Sequence, residues 1–184
     1  VSIGGAVWSA VFLFVLGTSM ALPPAVAQLD GAGQQRQGGL VARQALWLSL
    51  LLAALLMGVC RNAYPILVAV GIDAAIIPVA SEYLLALSWG APAVCGFLAL
   101  RFFSEGSGHT RPVMYVGALG ALCNIPLNYW FIHGGLGIPA MGAVGVGWAS
   151  ATVYWLQFFA WLWWVSRHQG YRPYALFERF DWPR

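Results

Sequence analysis

Two asparagines separated by one helical turn form the most chemically distinctive pattern in this sequence. Asn124 and Asn128 lie in an apolar segment, with Pro126 between them. Residues four apart project from the same face of an α-helix, so the two amides share a face. Because Pro126 has no N–H to donate to the carbonyl of Leu122, a backbone oxygen is freed beside them. Three oxygens at membrane depth predict a site for a cation or a proton.

The same pattern also has a purely structural interpretation. Asparagines in membrane bundles often hydrogen-bond neighbouring helices, for about 0.6 kcal/mol each. Counted from Arg111 at about 1.5 Å per residue, Asn124 lies roughly 20 Å into a hydrocarbon core of roughly 30 Å. An ion site at this position would face outward. The residues alone leave both interpretations open.

The next apolar segment offers hydroxyl groups that would extend the site if the two helices touch. Ser150 and Thr152 lie in a run of small residues, which permits close approach of helices. Their hydroxyls equally well bond back to the carbonyls of their own helix. They are therefore candidate ion ligands, with local hydrogen bonding as the alternative.

The sequence shows no arrangement of residues suited to catalysis, metal binding or nucleic-acid binding. Glu105 and His109 lie in an arginine-flanked polar turn, which indicates a solvated loop. The sequence shows no nucleophile with its base, no phosphate loop and no metal-ligand spacing. Its arginines are scattered between apolar blocks, which argues against a nucleic-acid interface. The sequence therefore predicts no enzyme, no metal site and no cofactor.

The segments that carry these residues are apolar enough to lie in a lipid bilayer. Hydrophobic residues make up 60% of the chain and charged residues 8%, whereas soluble domains carry roughly a quarter charged residues. Windows of about 20 apolar residues predict an all-α, polytopic transmembrane helix bundle with about five spans. The predicted spans cover residues 1–28, 44–67, 80–101, 112–132 and 142–166, and a polar tail follows at 167–184.

The arginines are distributed unequally between the two sides of this bundle. Loops on one side carry only Arg61, and the loops on the other side and the tail carry all the remaining arginines. Short cytoplasmic loops collect positive charge, so the tail is expected in the cytoplasm. An odd number of crossings then puts Val1 outside. This arrangement predicts a further crossing before Val1.

Four stretches carry a more specific signal, in collinear order over almost the whole chain. They are MALPPAVAQLDGAG at 20–33, YLLALSWGAPAVCGFLALRFFSEG at 83–106, TRPVMYVGALGALCNIPLNY at 110–129 and GGLGIPAMGAVGVGWASA at 134–151. They resemble the multidrug and toxic compound extrusion family, MATE, in its NorM-like branch. Members of that family are antiporters of two six-helix lobes, which export organic cations and drugs in exchange for sodium ions or protons.

This resemblance implies where the chain would lie in such a transporter. Residues 1–166 resemble helices two to six of the N-terminal lobe, and residues 167–184 the cytoplasmic link to the second lobe. The partners implied are the lipid bilayer, drug substrates, a first helix and a C-terminal lobe. The location implied is the cell (inner) membrane, crossed several times.

The resemblance also implies roles for the candidate residues. The first-lobe cation site of the family combines an acidic residue of the first helix with polar residues of the fifth and sixth helices. Asn124 and Asn128 match the fifth-helix positions, Ser150 or Thr152 falls near a sixth-helix hydroxyl, and Pro126 would loosen the helix that must bend. Two other functions stay open: a lipid-linked saccharide flippase of the same superfamily, and a non-transporting membrane scaffold or decayed fragment.

Overall fold

The fold is built from helices packed around one central helix. The computed structural model describes residues 2–135, 137 and 139–176. Within these residues it contains no β-strand, which confirms the all-α class. The helices are α1 (Ser2–Ser19), α2 (Leu22–Gly31), α3 (Gln35–Arg61), α4 (Ala63–Ala69), α5 (Ile77–Ser88), α6 (Ala91–Gly106), α7 (Arg111–His133), α8 (Ala143–Arg167) and a final 3-10 helix (Gln169–Tyr174).

Two segments of the described chain are long and apolar enough to cross a membrane by themselves. One is Ile3–Gly31, which joins α1 and α2, and the other is α3. Helices α5 and α6 meet at a bend of 48° and make a third segment if they cross as one. Helices α7 and α8 have the length of a span, about 35 Å each at 1.5 Å per residue. Asn124, Asn128 and Gln157 lower the hydropathy of these two helices. Helices α7 and α8 are therefore not among the segments that qualify as membrane spans by hydropathy.

Two helix boundaries differ from the spans drawn on the sequence. Pro23 and Pro24, near the end of the predicted span 1–28, begin α2, where a missing N–H costs no hydrogen bond. Helix α3 begins at Gln35 rather than near residue 44. It ends at Arg61, and the Asn62 side chain donates to the Gly58 carbonyl at 2.8 Å. Residues 63–69 then form the separate helix α4.

Helix α6 lies at the centre of the bundle. It packs against α2, α3 and α8, with smaller contacts to α1 and α7. Small and branched apolar side chains fill these interfaces, and Leu56, Leu84, Leu98 and Trp161 are fully buried. The described structure therefore has one continuous apolar core.

The outer surface of the bundle is also apolar. Large hydrophobic side chains on different helices point away from the protein, among them Leu51 at 70% exposure and Ile125 at 72%. A soluble protein rarely exposes such side chains as extended patches. The surface suits contact with lipid or with further helices, as expected of a multi-pass membrane protein.

Candidate functional site

Helix α7 holds the two asparagines in direct contact. The Nδ2 atom of Asn128 donates to the Oδ1 atom of Asn124 at 2.8 Å and to the Asn124 carbonyl oxygen at 2.9 Å. Both side chains are half-buried. The spacing of four residues thus places the two amides on one face, and the amide nitrogen of Asn128 is satisfied by two oxygens.

The other amide atom of Asn128 has no such partner. Its Oδ1 atom is buried and accepts no hydrogen bond from the described residues. A buried acceptor left in this state costs about 1–3 kcal/mol. A cation, a proton donor or a side chain from beyond the described residues would remove that cost. The pair therefore presents an open acceptor on α7.

The asparagine face of α7 points towards α8. Gly120 lies one turn before Asn124 and packs so closely on Gln157 of α8 that an added Cβ would lie 2.0 Å from the Nε2 atom of Gln157. That Nε2 atom donates to the Val116 carbonyl at 3.4 Å. The sequence analysis did not single out Gln157. Its signal is a lone polar amide in an apolar helix, and it contacts Gly120, which lies four residues before Asn124.

Ser150 and Thr152 do not come together on one face of α8. Residues two apart in an α-helix project from different sides. Thr152 donates its hydroxyl hydrogen to the Trp148 carbonyl of its own helix at 2.9 Å, the local bond that the sequence left as an alternative. Both residues are half-buried. Their role as ion ligands stays a prediction, and at most one of them faces α7 squarely.

Pro126 lies inside α7, which continues through it to His133. The side chain is exposed, beside Leu122 at 70% and Ile125 at 72% exposure. Because Gly134 adopts a φ of 81°, a left-handed conformation that favours glycine, the helix ends there. The role of Pro126 as a bend point stays a prediction.

A second group of polar side chains ties the end of the described chain to the bundle. The Tyr174 hydroxyl donates to the Oδ1 atom of Asp30 at the end of α2, and Tyr171 shares a hydrogen bond with Ser104 of α6. Since Ser104 gives its own hydrogen to the His109 carbonyl, Tyr171 is the donor in that bond. Residues 169–176, which belong to the predicted polar tail, are therefore docked on the bundle.

Burial changes the acid–base behaviour of both tyrosines in this group. Tyr171 is 3% exposed and Tyr174 is 2% exposed. Burial raises the pKa of Tyr171, and burial together with the hydrogen bond to the Asp30 carboxylate raises the pKa of Tyr174. A raised tyrosine pKa keeps the phenol neutral, so both hydroxyls remain donors throughout the physiological pH range.

The Tyr174→Phe substitution tests the contribution of the Asp30 bond. Loss of a hydrogen bond to a carboxylate is expected to weaken docking of residues 169–176 by about 1.5 kcal/mol. Chymotrypsin should then cleave after Tyr171 about tenfold faster, because cleavage tracks the undocked population. The control is Tyr64→Phe, which changes an exposed tyrosine of α4. Equal cleavage of both variants and the parent protein would contradict the role of this bond.

Catalytic and metal-ligating side chains do not gather elsewhere in the described residues. No group of three histidine, cysteine or carboxylate side chains is close enough to hold a metal ion. Glu105 accepts from the Nε atom of Arg101 at 2.9 Å, one turn away. His109 packs its ring against Tyr171 at 4.7 Å between centroids, so it belongs to the docked group and not to a solvated turn.

Comparison with known proteins gives consistent matches along the chain. The MatE family model matches residues 1–130. The multidrug resistance protein MdtK of Klebsiella pneumoniae is 42% identical over 184 residues, which cover 100% of this chain and 40% of the relative. The multidrug resistance protein PmpM of Pseudomonas aeruginosa is 40% identical, with 100% and 39% covered. The chain thus spans about 40% of the length of these curated relatives.

Solved structures show the same helical arrangement. The MATE transporter NorM-NG, solved as a complex with a monobody, superposes with a TM-score of 0.79 and 27% identity over 99% of this chain and 40% of that chain. An inward-facing multidrug resistance MATE family transporter of the MOP superfamily gives a TM-score of 0.78 over 90% of this chain and 38% of that one; at 22% identity it supports the fold alone. Because the family model covers more than half of the sequence and the fold agrees, the chain belongs to the MatE family.

Proposed function

We propose that this chain is part of a secondary transporter that exports organic cations and drugs in antiport with sodium ions or protons. Relatives that match its whole length are named multidrug resistance proteins, and a solved relative is named a MATE transporter. These names favour drug export over flipping of lipid-linked saccharides or a scaffold role. The proposal includes no enzymatic step and no cofactor besides the coupling ion.

The open acceptor on Asn128 is the observation that carries this proposal. A coupling ion must bind where it changes the balance between two conformations. The buried Oδ1 atom of Asn128 lacks a donor among the described residues, and the adjacent Asn124 supplies a second amide oxygen. An incoming sodium ion, or the N–H or O–H of a neighbouring group that takes up the proton, would satisfy that oxygen. Thr152 would first have to release its bond to the Trp148 carbonyl before it contributed.

Ion binding at this face would be linked to movement of α7. Pro126 removes one backbone hydrogen bond from the middle of α7, so the helix costs less to bend there. In secondary transporters, the residues that bind the coupling ion often lie on broken or bent helices near the midplane of the bilayer. In the proposed cycle, the ion stabilises one conformation and the drug leaves as the ion enters.

The rest of the transporter would lie on both sides of this chain. We place a first helix before residue 1 and a second lobe after residue 184, in a multi-pass protein of the inner membrane. The end of α8 and the docked residues 169–176 would lie on the cytoplasmic side, where arginine-rich loops are favoured. In that orientation residues 167–184 form the start of the link between the lobes.

The test replaces Asn124 and Asn128 by alanine, singly and together, in the full-length protein. The probe is ethidium, a flat organic cation whose fluorescence reports its efflux from membrane vesicles. Each variant is expected to reduce ion-dependent efflux by at least about tenfold, since a ligand worth about 1.4 kcal/mol is lost. The thermal midpoint, Tm, in detergent should stay close to that of the parent protein, because each amide contributes little to packing.

The matched control is Asn62→Ala, which removes an exposed asparagine whose side chain donates to the Gly58 carbonyl of the preceding turn. It should leave efflux and ion dependence unchanged. If the Asn124 and Asn128 variants keep the sodium or proton dependence of the parent, the ion site lies elsewhere.

A further inference from the structure

A basic, aromatic cavity between the start of α7 and the end of α8 is not used by the proposed transport mechanism. Its volume is about 480 Å³. The lining combines the turn before α7 with the last residues of α8: Gly108, His109, Thr110, Arg111, Pro112, Tyr115, Trp164 and His168. None of these described lining residues is acidic. The cavity lining therefore offers hydrogen-bond donors and positive charge and contributes no carboxylate of its own.

Two of the lining side chains have N–H groups without a hydrogen-bond acceptor among the described residues. Arg111 is exposed, and no acidic side chain of the described chain pairs with it. The Nδ1 atom of His168 accepts from the Gly170 N–H at 3.2 Å, so a neutral ring carries its hydrogen on Nε2. The His168 ring is held in place by stacking on Trp164, at 6.1 Å and 15°. A guanidinium and an imidazole N–H suit a phosphate group.

The surface beside the cavity favours a phosphate group that is attached to a lipid. Tyr115 lines the cavity, is 61% exposed and stacks on Trp164 at 5.8 Å. From it an exposed apolar stripe follows one face of α7 through Leu119, Leu122 and Ile125. At 1.5 Å per residue this stripe is about 15 Å long, which is half of a hydrocarbon core of about 30 Å. The cavity and the stripe adjoin at Tyr115, so a headgroup in the cavity would leave an acyl chain beside the stripe.

We propose that this cavity binds the headgroup of an anionic phospholipid, with an acyl chain along the exposed stripe of α7. The Arg111 guanidinium and the His168 Nε2–H hold the phosphate, and Tyr115 and Trp164 contact the glycerol region. A zwitterionic headgroup fits less well, because its ammonium group finds no carboxylate among the described lining residues. Basic cavities between helices at the membrane surface are a general mode of anionic lipid binding.

The experiment measures phosphatidylglycerol retained by the purified full-length protein after washing in detergent, by lipid mass spectrometry. Arg111→Gln is expected to lower the retained lipid about fivefold, since one arginine near a membrane surface contributes about 1 kcal/mol. His168→Phe keeps an aromatic ring on Trp164 but removes the Nε2–H donor, together with the Nδ1 acceptor of the Gly170 N–H, and is expected to lower retention about threefold. This second variant keeps the test decisive if Arg111→Gln does not fold.

The matched control is Arg36→Gln, which removes an exposed arginine in the first turn of α3, outside the cavity. It should retain phosphatidylglycerol like the parent protein. An equal loss in Arg36→Gln and Arg111→Gln would show diffuse charge attraction and overturn the site. Retention of phosphatidylcholine equal to that of phosphatidylglycerol would overturn it as well.

A further arm separates a lipid from free phosphate. Inorganic phosphate at millimolar concentration should neither bind measurably to the detergent-solubilised protein nor displace the lipid. Phosphate binding that is lost in Arg111→Gln, without retained lipid, would assign the cavity to a soluble anion and reject the lipid. Transport activity enters none of these measurements, so the result is independent of the proposed efflux.

Discussion

Gly145→Ala is expected to separate the start of α8 from the end of α7. A Cβ atom at residue 145 would lie 2.3 Å from the Phe131 carbonyl oxygen and 2.6 Å from its carbon, both backbone atoms that cannot rotate away. The same oxygen accepts the Met141 N–H at 3.1 Å, which fixes the loop between the helices. Overpacking of about 1–3 kcal/mol and loss of this bond, about 1 kcal/mol, add to about 2–4 kcal/mol.

The effect of Gly145→Ala should reach the asparagine pair, because Phe131 lies less than one turn beyond Asn128. We expect a Tm several degrees below that of the parent and a loss of ethidium efflux. A thiol-reactive dye reports the Tm, since Cys60 and Cys95 are buried and become reactive on unfolding. The control is Gly117→Ala in α7, where no atom lies within 4 Å of the added Cβ.

Gly117→Ala should leave the Tm unchanged or raise it, because alanine favours a helix over glycine by about 1 kcal/mol. A Gly145→Ala protein with the Tm and the efflux of the parent would mean that the two helices do not pack as described.

Gly39→Ala is expected to release the docked residues 169–176 from the bundle. Its Cβ would lie 1.8 Å from the Tyr174 carbonyl oxygen and 2.8 Å from the carbonyl carbon. Either α3 or the 3-10 helix must move, and the 3-10 helix has fewer contacts to lose. An overpacking cost of about 1–3 kcal/mol corresponds to a roughly fivefold to 150-fold larger undocked population.

Chymotryptic cleavage after Tyr171 measures this release, and its rate should rise by the same factor in Gly39→Ala. Gly58→Ala is the matched control, because it lies in the same helix with no atom within 4 Å of the added Cβ. Should Gly39→Ala be cleaved as slowly as Gly58→Ala, the contact between α3 and Tyr174 would be refuted.

Two of the five predicted segments coincide with single helices of the structure. Helix α7, Arg111–His133, lies within one residue of the predicted 112–132, and α8, Ala143–Arg167, within one residue of 142–166. Pro112 suits the first turn of α7 because it needs no N–H there, and Gly134, which follows the last residue of α7, has a positive φ. The predicted start of α3 lies nine residues late, because the polar residues before it indicate a loop. In the structure that polar stretch is helical, and its Gly38 and Gly39 pack against Tyr174.

The sequence by itself determined that the chain is helical and suited to lipid, and that Asn124 and Asn128 share a face. Each of these follows from local rules, since hydropathy and a spacing of four residues need no knowledge of neighbouring helices. Only the tertiary structure decided that Gln157 opposes Gly120, that the Asn128 oxygen lacks a donor among the described residues and that residues 169–176 dock. These depend on which helices meet and at what register, and side chains up to 144 positions apart then come into contact.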